Sequence, residues 1–261
     1  MKIAIAGGCF TTQHNIPPES LCHQILKNIL EAKGISVEIK TIRYERISKC
    51  TEKIIELKNS FSFDLLIFHL RTEPVMRLSK LYYKYKNQEG QKKCSFNLPH
   101  LNVLYPEKFD LLSRRSFQTR QTQSPESRIH HFLRETNYFM GSLIGNKKYA
   151  IRMMEKAIVQ IQKFCQENNA DFLLLGPVSR PFSKFEDQLS AEMSSRFETL
   201  ARKKSIPYLA LLKKTTNDHQ PMFFDNGIHV SQAGHYEIAS RIGEKLNKKI
   251  QKMMMSMQGK S

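Results

Sequence analysis

Short apolar runs alternate along this chain with longer segments of helical periodicity, and this alternation limits the possible folds more than any other feature. KIAIAG, FDLLIFHL and DFLLLG are almost continuously apolar, as expected of strands buried on both faces of a sheet. VEIKTIRY and IPYLALL add two further strands, and amphipathic helices are predicted over residues 19–34, 154–169, 187–204 and 233–250. The pattern predicts a three-layer α/β/α fold around a mostly parallel five-stranded sheet.

The third and fourth strands are separated by an unusually long stretch, at about residues 75–147. Long connections inside compact domains are usually functional loops or lids. A length of 261 residues suits one large domain. We therefore expect a single α/β domain over residues 1–261, with a long insertion or lid at about 75–147.

The charge of the chain is strongly positive, because 41 Lys and Arg oppose 24 Asp and Glu for a formal net charge of +17. Such a field attracts polyanions, including anionic lipid headgroups, coenzyme A phosphates and an acidic acyl carrier. Nucleic acid is not expected, because no recognisable reading motif accompanies the charge. A basic, solvated surface without a specific partner is the simplest alternative.

The cysteines and the apolar runs exclude several classes of protein. No CxxC pair occurs among the five scattered cysteines, so neither a zinc site nor a disulfide framework is predicted: Cys9, Cys22, Cys50, Cys94, Cys165. We expect no metal and no organic cofactor. No apolar run approaches the roughly 18 residues that span a bilayer, and IAIA is too short for a signal peptide. These features predict a cytoplasmic protein.

Ligands of a parallel α/β sheet bind beyond the carboxyl ends of its strands. Four segments of this chain follow predicted strands there: GGCFTTQHN, RTEPVMR, GPVSRPF and FFDNGIHVSQAGHYEIA. They contain Cys9, Arg71, Arg180 and His229, side chains that can act as a nucleophile, anion-binding groups and a base. A buried structural thiol is the plain alternative for Cys9, and His235 in the closing helix is expected to be a packing or a surface residue.

The last of these segments resembles the final block of the SGNH or GDSL hydrolase family. In that block an acidic residue, a glycine and an apolar residue precede the catalytic histidine, and a helix that starts with glycine follows. His229 falls on the histidine, while Gly234 and Ala239 fall on the small positions of the closing helix. The order of strands and helices fits the family along nearly the whole chain apart from the long insertion.

The segment GGCFT resembles the first block of the same family, Gly-Asp-Ser-x-Thr. Gly7 and Thr11 match the glycine and the threonine, and Cys9 stands at the nucleophilic serine. The resemblance implies a flavodoxin-like SGNH fold and an esterase, thioesterase or acyltransferase. Its substrate would be a small-molecule, glycan or lipid acyl group, including an anionic carrier such as coenzyme A.

Several family positions hold other residues here. Gly8 replaces the aspartate of the first block, and Asn226 stands at the triad acid with Asp225 one position earlier. The third block, Gly-x-Asn-Asp, falls on RTEP, where Arg71 stands at the glycine and Glu73 at the oxyanion asparagine. The second block has no clear glycine, and ERISKC offers only a serine nearby.

A cysteine site is chemically consistent with these substitutions. A thiol has a pKa near 8.5, and a neighbouring imidazole can hold it as thiolate, with an asparagine orienting the ring. The predicted catalytic set is therefore Cys9 and His229, with Asn226 or Asp225 as the orienting residue. The Cys9 N–H and Arg71 would stabilise the oxyanion; Arg71 can equally pair with Glu73 or bind a substrate anion. The predicted oxyanion and substrate-binding residues are Arg71, Gly8, Glu73 and Arg180.

Two other functions fit parts of the sequence. The missing second- and third-block residues are what a catalytically silent SGNH-like module would show, one that binds an acidic glycan, lipid or carrier protein. The start of GGCFTTQHN also resembles the cytidylyltransferase motif Gly-Gly-x-Phe-Asp-x-x-His-x-Gly-His. There, however, Thr11 stands at the aspartate, and Ile16 and Pro17 replace the final Gly-His.

Overall fold

The structure, a computed structural model, describes residues 1–8, 16–44, 46–86, 91–98, 128–178, 184–211, 221–223 and 229–258. In these ranges the strands are β1 (Lys2–Gly7), β2 (Glu38–Arg43), β3 (Leu65–His69), β4 (Tyr82–Lys86), β5 (Lys92–Phe96), β6 (Asp171–Leu175) and β7 (Tyr208–Leu209). The helices are α1 (Cys22–Glu31), α2 (Ile47–Ser60), α3 (Thr72–Ser79), α4 (Arg128–Leu143), α5 (Asn146–Glu167), α6 (Lys184–Lys203) and α7 (Gln232–Gln258), and a short 3-10 helix (Pro18–Ser20) precedes α1.

Five strands form one parallel sheet in the order β2-β1-β3-β6-β7. The strands β1, β3 and β6 are in the middle and are buried along nearly their whole length, which explains their continuous apolar sequences. The predicted α/β class and the parallel five-stranded sheet are confirmed. Helices α1 and α7 pack together over one part of the core, which includes Ile3, Ile5, Leu26, Leu30, Ile238 and Ile242.

The last strand is shorter than predicted. Residues 206–212 were expected to be extended, but β7 contains only Tyr208 and Leu209. The N–H of Ile206 donates to the Ala201 carbonyl at the end of α6, and Pro207 has no N–H to give. The Pro207 carbonyl accepts from the Leu174 N–H of β6 at 2.9 Å, so the proline contributes only an acceptor, and the residues paired with β6 are Tyr208 and Leu209.

Several helices differ from the predicted pattern: α3 was not predicted, and α5 begins at Asn146, eight residues before the predicted start. Helix α2 was not predicted, because its buried residues Ile47, Cys50 and Ile54 form only a narrow stripe in a polar segment. Helix α7 continues to Gln258, eight residues beyond the predicted end. No helix in the described part of the chain has both the length and the apolar character needed to cross a membrane.

The chain divides into two compact units. The first comprises Met1–Thr72, Glu155–Phe182 and Glu186–Ser261 and contains the parallel sheet. The second comprises Glu73–Met154 with Ser183–Phe185 and contains the antiparallel β4–β5 hairpin and α4. The predicted insertion at about 75–147 falls inside the long segment of this second unit, and its action as a lid stays a prediction.

Candidate active site

Gly8 follows β1 and lies against the side chain of Arg71, which follows β3. A Cβ atom at position 8 would overlap Arg71 Nε and would lie 3.0 Å from both Cδ and Cζ. Any side chain at position 8, including the aspartate of the family pattern, would therefore collide with the arginine. Glycine at position 8 therefore leaves the space that the Arg71 side chain occupies.

Tyr44 fixes the Arg71 guanidinium at this edge of the sheet. Arg71 Nη1 donates to the Tyr44 carbonyl oxygen, and Arg71 Cζ lies 5.4 Å from the centre of the Tyr44 ring. The Arg71 N–H donates to Tyr44 Oη at 3.1 Å, and that hydroxyl donates to the His69 carbonyl at 2.7 Å. Only 2% of Arg71 is exposed, so a permanent positive charge is held in a buried and defined position.

Tyr44 is not among the residues predicted for the site. The available signal was an aromatic residue directly after the second strand, which the sheet order places beside β1. Because β1 and β2 are adjacent, the residues that follow these two strands meet at the same carboxyl edge.

Glu73 lies in the first turn of α3 and forms an ion pair with Arg77, one turn later on the same helix. The Glu73 carboxylate is buried and can only accept hydrogen bonds when it is ionised. It therefore cannot do the work of the amide N–H that the family asparagine donates to an oxyanion. A substrate contact through its acceptor oxygens stays a prediction.

Thr72 and Glu186, which are also not among the predicted site residues, form a buried hydrogen bond. Thr72 Oγ1 donates to Glu186 Oε1 at 2.6 Å, and both residues are almost fully buried. The bond joins the residue that follows Arg71 to the first turn of α6. A glutamate at the start of a helix normally reads as a solvated residue, so the sequence carried no signal for this contact.

The backbone that follows His229 is held by several contacts. Val230 bridges Phe223 in antiparallel fashion, and the Ser231 N–H donates to the Met222 carbonyl at 3.0 Å. Ser231 caps α7, because its Oγ accepts from the Gly234 N–H at 3.0 Å and donates to the Pro221 carbonyl at 2.6 Å. His229 itself is partly exposed, as a base that must meet a substrate requires.

His235 is a fully buried structural residue of α7, in agreement with the packing alternative. Its Nδ1 accepts a hydrogen bond of 3.1 Å from the Cys22 N–H, the first N–H of α1. Burial, together with the neighbouring charge of His23, lowers the pKa of His235 from 6.5 to about 4. The neutral imidazole therefore joins α1 to α7 at neutral pH.

Acid is expected to destabilise the protein through His235. Because the pKa of His235 is about 4 in the folded chain and 6.5 in the unfolded chain, the unfolded state binds the proton first as the pH falls. The free energy of unfolding should drop between about pH 6.5 and pH 4, by at most about 3 kcal/mol from this residue. Guanidinium titrations at several pH values measure this drop.

The variant His235→Gln isolates the contribution of this group, because carboxylates also titrate in the lower part of the range. The pH dependence should be shallower in His235→Gln than in the natural chain, and His23→Asn should remove only the smaller charge-dependent share. Equal slopes for the natural chain and His235→Gln would contradict the assignment.

The remaining predicted site residues, Cys9, Arg180, Asp225 and Asn226, lie outside the described residues. Of the described cysteines, Cys22, Cys50 and Cys165 are buried and Cys94 is exposed. Burial raises the pKa of Cys22, that of Cys50 to about 11 and that of Cys165 to about 12, so these thiols are poor nucleophiles at neutral pH. The described residues contain no group of three or more His, Cys, Asp or Glu that could hold a metal ion.

Solved structures of GDSL-type hydrolases share this fold over most of the chain. The psychrotrophic esterase EstA from Pseudoalteromonas sp. is 9% identical, with a TM-score of 0.54 over 96% of this chain and 98% of that one. A member of the lipolytic protein G-D-S-L family from Veillonella parvula is 9% identical, with a TM-score of 0.54 over 93% and 96%. The lipase/acylhydrolase from Enterococcus faecalis is 11% identical, with a TM-score of 0.51 over 95% and 96%.

No protein-family model and no curated protein matches the sequence itself. The likeness to solved structures nevertheless confirms the SGNH-like fold that the first and last sequence blocks predicted. At these identities the likeness concerns the fold, and the chemistry must be argued from the residues of this chain.

Proposed function

We propose that this chain, whose fold is that of the SGNH or GDSL hydrolases, cleaves acyl esters or thioesters with Cys9 as nucleophile and His229 as base. The observation that carries the proposal is the contact between Gly8 and Arg71. It puts a buried, permanent positive charge beside the residue that immediately precedes Cys9. A thiol becomes a good nucleophile at neutral pH when a cation favours its ionised form.

The proposed reaction has two steps, acylation of Cys9 and hydrolysis of the acyl-enzyme. His229 accepts the proton of Cys9, and the sulfur attacks the acyl carbonyl carbon to form a tetrahedral oxyanion. The bond to the leaving alcohol or thiol breaks as His229 returns the proton to it, which leaves the acyl group on Cys9 as a thioester. Water then attacks that thioester with His229 as base, and the free acid and the Cys9 thiol are released. An acceptor alcohol in place of water would make the same site an acyltransferase.

Arg71 has an electrostatic role in this proposal. Coulomb interactions are stronger in a desolvated site than in water, so a buried guanidinium favours both the thiolate and the oxyanion. Two substitutions relative to the family pattern support this role. Gly8 stands where the pattern has aspartate, and the Arg71 side chain occupies the space beside it, so a cation lies where the pattern has a carboxylate. Asn226 or Asp225 would orient His229, and Arg180 and Glu73 would contact the substrate.

The test compares thiol reactivity and catalysis in a Cys94→Ser background, which removes the exposed thiol. Iodoacetamide labelling of Cys9, followed by mass spectrometry, and hydrolysis of short-chain p-nitrophenyl esters are both measured as a function of pH. Both rates should rise with one ionisation whose pKa lies below the ordinary thiol value of about 8.5, and complete labelling should abolish hydrolysis. Arg71→Gln should raise that pKa by about 1 or more, because an adjacent cation is lost.

Arg196→Gln is the matched control. Arg196 is paired with Glu155 on the neighbouring helix α5 and makes no described contact with Gly8 or Arg71. Its loss should leave the pKa of Cys9 unchanged. Hydrolysis that survives complete labelling of Cys9 would show that Cys9 is not the nucleophile. An unchanged pKa of Cys9 in Arg71→Gln would contradict the role of Arg71 and leave the assignment of Cys9 intact.

A further inference from the structure

Helix α4 in the second unit presents an apolar face that no described residue covers. Its members are between 40% and 71% exposed: Ile129, Phe132, Leu133, Phe139, Met140, Leu143 and, just after the helix, Ile144. At about 100° per residue these positions fall within an arc of roughly 140°, so they form one continuous side of the helix. We call this side the α4 apolar face. Large contiguous apolar patches on soluble proteins usually mark an interaction site.

The other side of α4 is fixed to its own unit, so the helix cannot rotate to bury the apolar face. Asn137 Oδ1 accepts from the N–H groups of Leu81 and Tyr82 at 2.9 and 3.0 Å, and Asn137 Nδ2 donates to the Tyr82 carbonyl at 3.1 Å. A Cβ atom at Gly141 would overlap the Ser79 carbonyl oxygen, which shows how closely the backbones approach. The exposure of the apolar face is therefore a consequence of rigid packing.

The charge of the chain is concentrated in the same unit. Residues 73–154 contain 15 Lys and Arg against six Asp and Glu, so this third of the sequence carries +9 of the total +17. Lys148 and Arg152 are exposed one turn apart at the start of α5, just after the end of the apolar face. An apolar helix face beside a concentration of cations is the combination that binds membrane surfaces.

We propose that the α4 apolar face docks the protein on an anionic lipid bilayer. The apolar side chains would enter the boundary between headgroups and acyl chains, while the surrounding Lys and Arg side chains would contact anionic headgroups. A second copy of the chain fits this surface less well, because two copies of the +9 segment 73–154 would be brought together. The proposal concerns a helix of the second unit and does not depend on Cys9 chemistry.

The experiment is co-sedimentation of the full chain with lipid vesicles. Phosphatidylcholine vesicles that contain about one third phosphatidylglycerol should bind the protein at about 0.1 M salt, pure phosphatidylcholine much less, and about 1 M salt should weaken the binding. The triple variant Phe132→Ser, Phe139→Ser, Leu143→Ser should bind the anionic vesicles at least about tenfold more weakly. Because all three side chains are exposed, the melting temperature should be unchanged.

Ile55→Ser supplies the matched control, since it removes an exposed apolar side chain from α2 in the first unit. This variant should bind vesicles as the natural chain does. If the triple variant bound anionic vesicles as well as the natural chain does, charge alone would account for the binding. If the natural chain bound neutral and anionic vesicles equally, anionic headgroups would have no role. Either result overturns the proposal. The proposal would also be overturned if the natural chain bound no vesicles but formed a concentration-dependent dimer that the triple variant could not form. A second copy would then cover the α4 apolar face.

Discussion

His229→Ala should lower kcat/KM for ester hydrolysis by about 10³-fold or more, the loss expected when a general base and its nucleophile are uncoupled. Steady-state hydrolysis of p-nitrophenyl esters measures it. In the proposed mechanism, the substitution removes the proton acceptor for Cys9 and the donor for the leaving group. It should not disturb the fold, because His229 is partly exposed and its neighbours Val230 and Ser231 are held through their own contacts.

Three comparisons separate a catalytic role of His229 from a structural one. His23→Asn changes a partly buried histidine of α1 and should keep nearly all of the activity. Free imidazole should restore part of the activity of His229→Ala, because it can enter the space left by the ring and accept the proton. Combining His229→Ala with Cys9→Ala should be hardly worse than either change alone, since two groups of one catalytic unit are not additive. Activity in His229→Ala within about threefold of the natural chain would contradict the proposed base.

The fold could be predicted because its strongest signals are local. The strands β1, β3 and β6 are buried on both faces, so each reads as an apolar run within a handful of residues. Other elements lacked such a signal, among them α2 and β7. Helix α2 buries too few side chains to show a wide apolar stripe, and the length of β7 is set by its pairing with β6, which the residues of β7 alone do not reveal.

The candidate site was predictable where it follows a motif and not where it depends on a distant contact. His229 and Cys9 could be proposed because each falls in a recognisable block. The contact between Gly8 and Arg71 could not be predicted, because the two positions are 63 residues apart in sequence and meet only when β1 and β3 pair. The same holds for Tyr44, which is recognisable as a partner of Arg71 only once β2 is placed beside β1.

Gly234→Ala should reduce the free energy of unfolding by about 2 to 4 kcal/mol, although alanine normally favours a helix. A Cβ atom at position 234 would overlap the Met222 carbonyl oxygen and would lie 2.7 Å from Val230 Cγ1. The nearest atom belongs to the Met222 backbone, which cannot move away by a change of rotamer as a side chain can. Thermal unfolding and guanidinium titration measure the loss.

Gly243→Ala makes the same change nine residues later on α7 and serves as its control. There the nearest atoms to the new Cβ are side-chain carbons of Ile29, at 3.0 Å, and Leu26, at 3.8 Å. Ile29 is only partly buried and can adjust, and alanine gains helix propensity, so stability should change by less than about 1 kcal/mol. Equal losses in the two variants would contradict the close approach of α7 to residue 222.

The two glycine variants should also differ in activity. The atoms that a side chain at position 234 would displace belong to Met222 and Val230, whose backbones hold the segment that carries His229. Gly234→Ala should therefore lower kcat at temperatures where the variant is still folded, while Gly243→Ala should not. A loss of stability in Gly234→Ala with full kcat would mean that His229 is positioned independently of the start of α7.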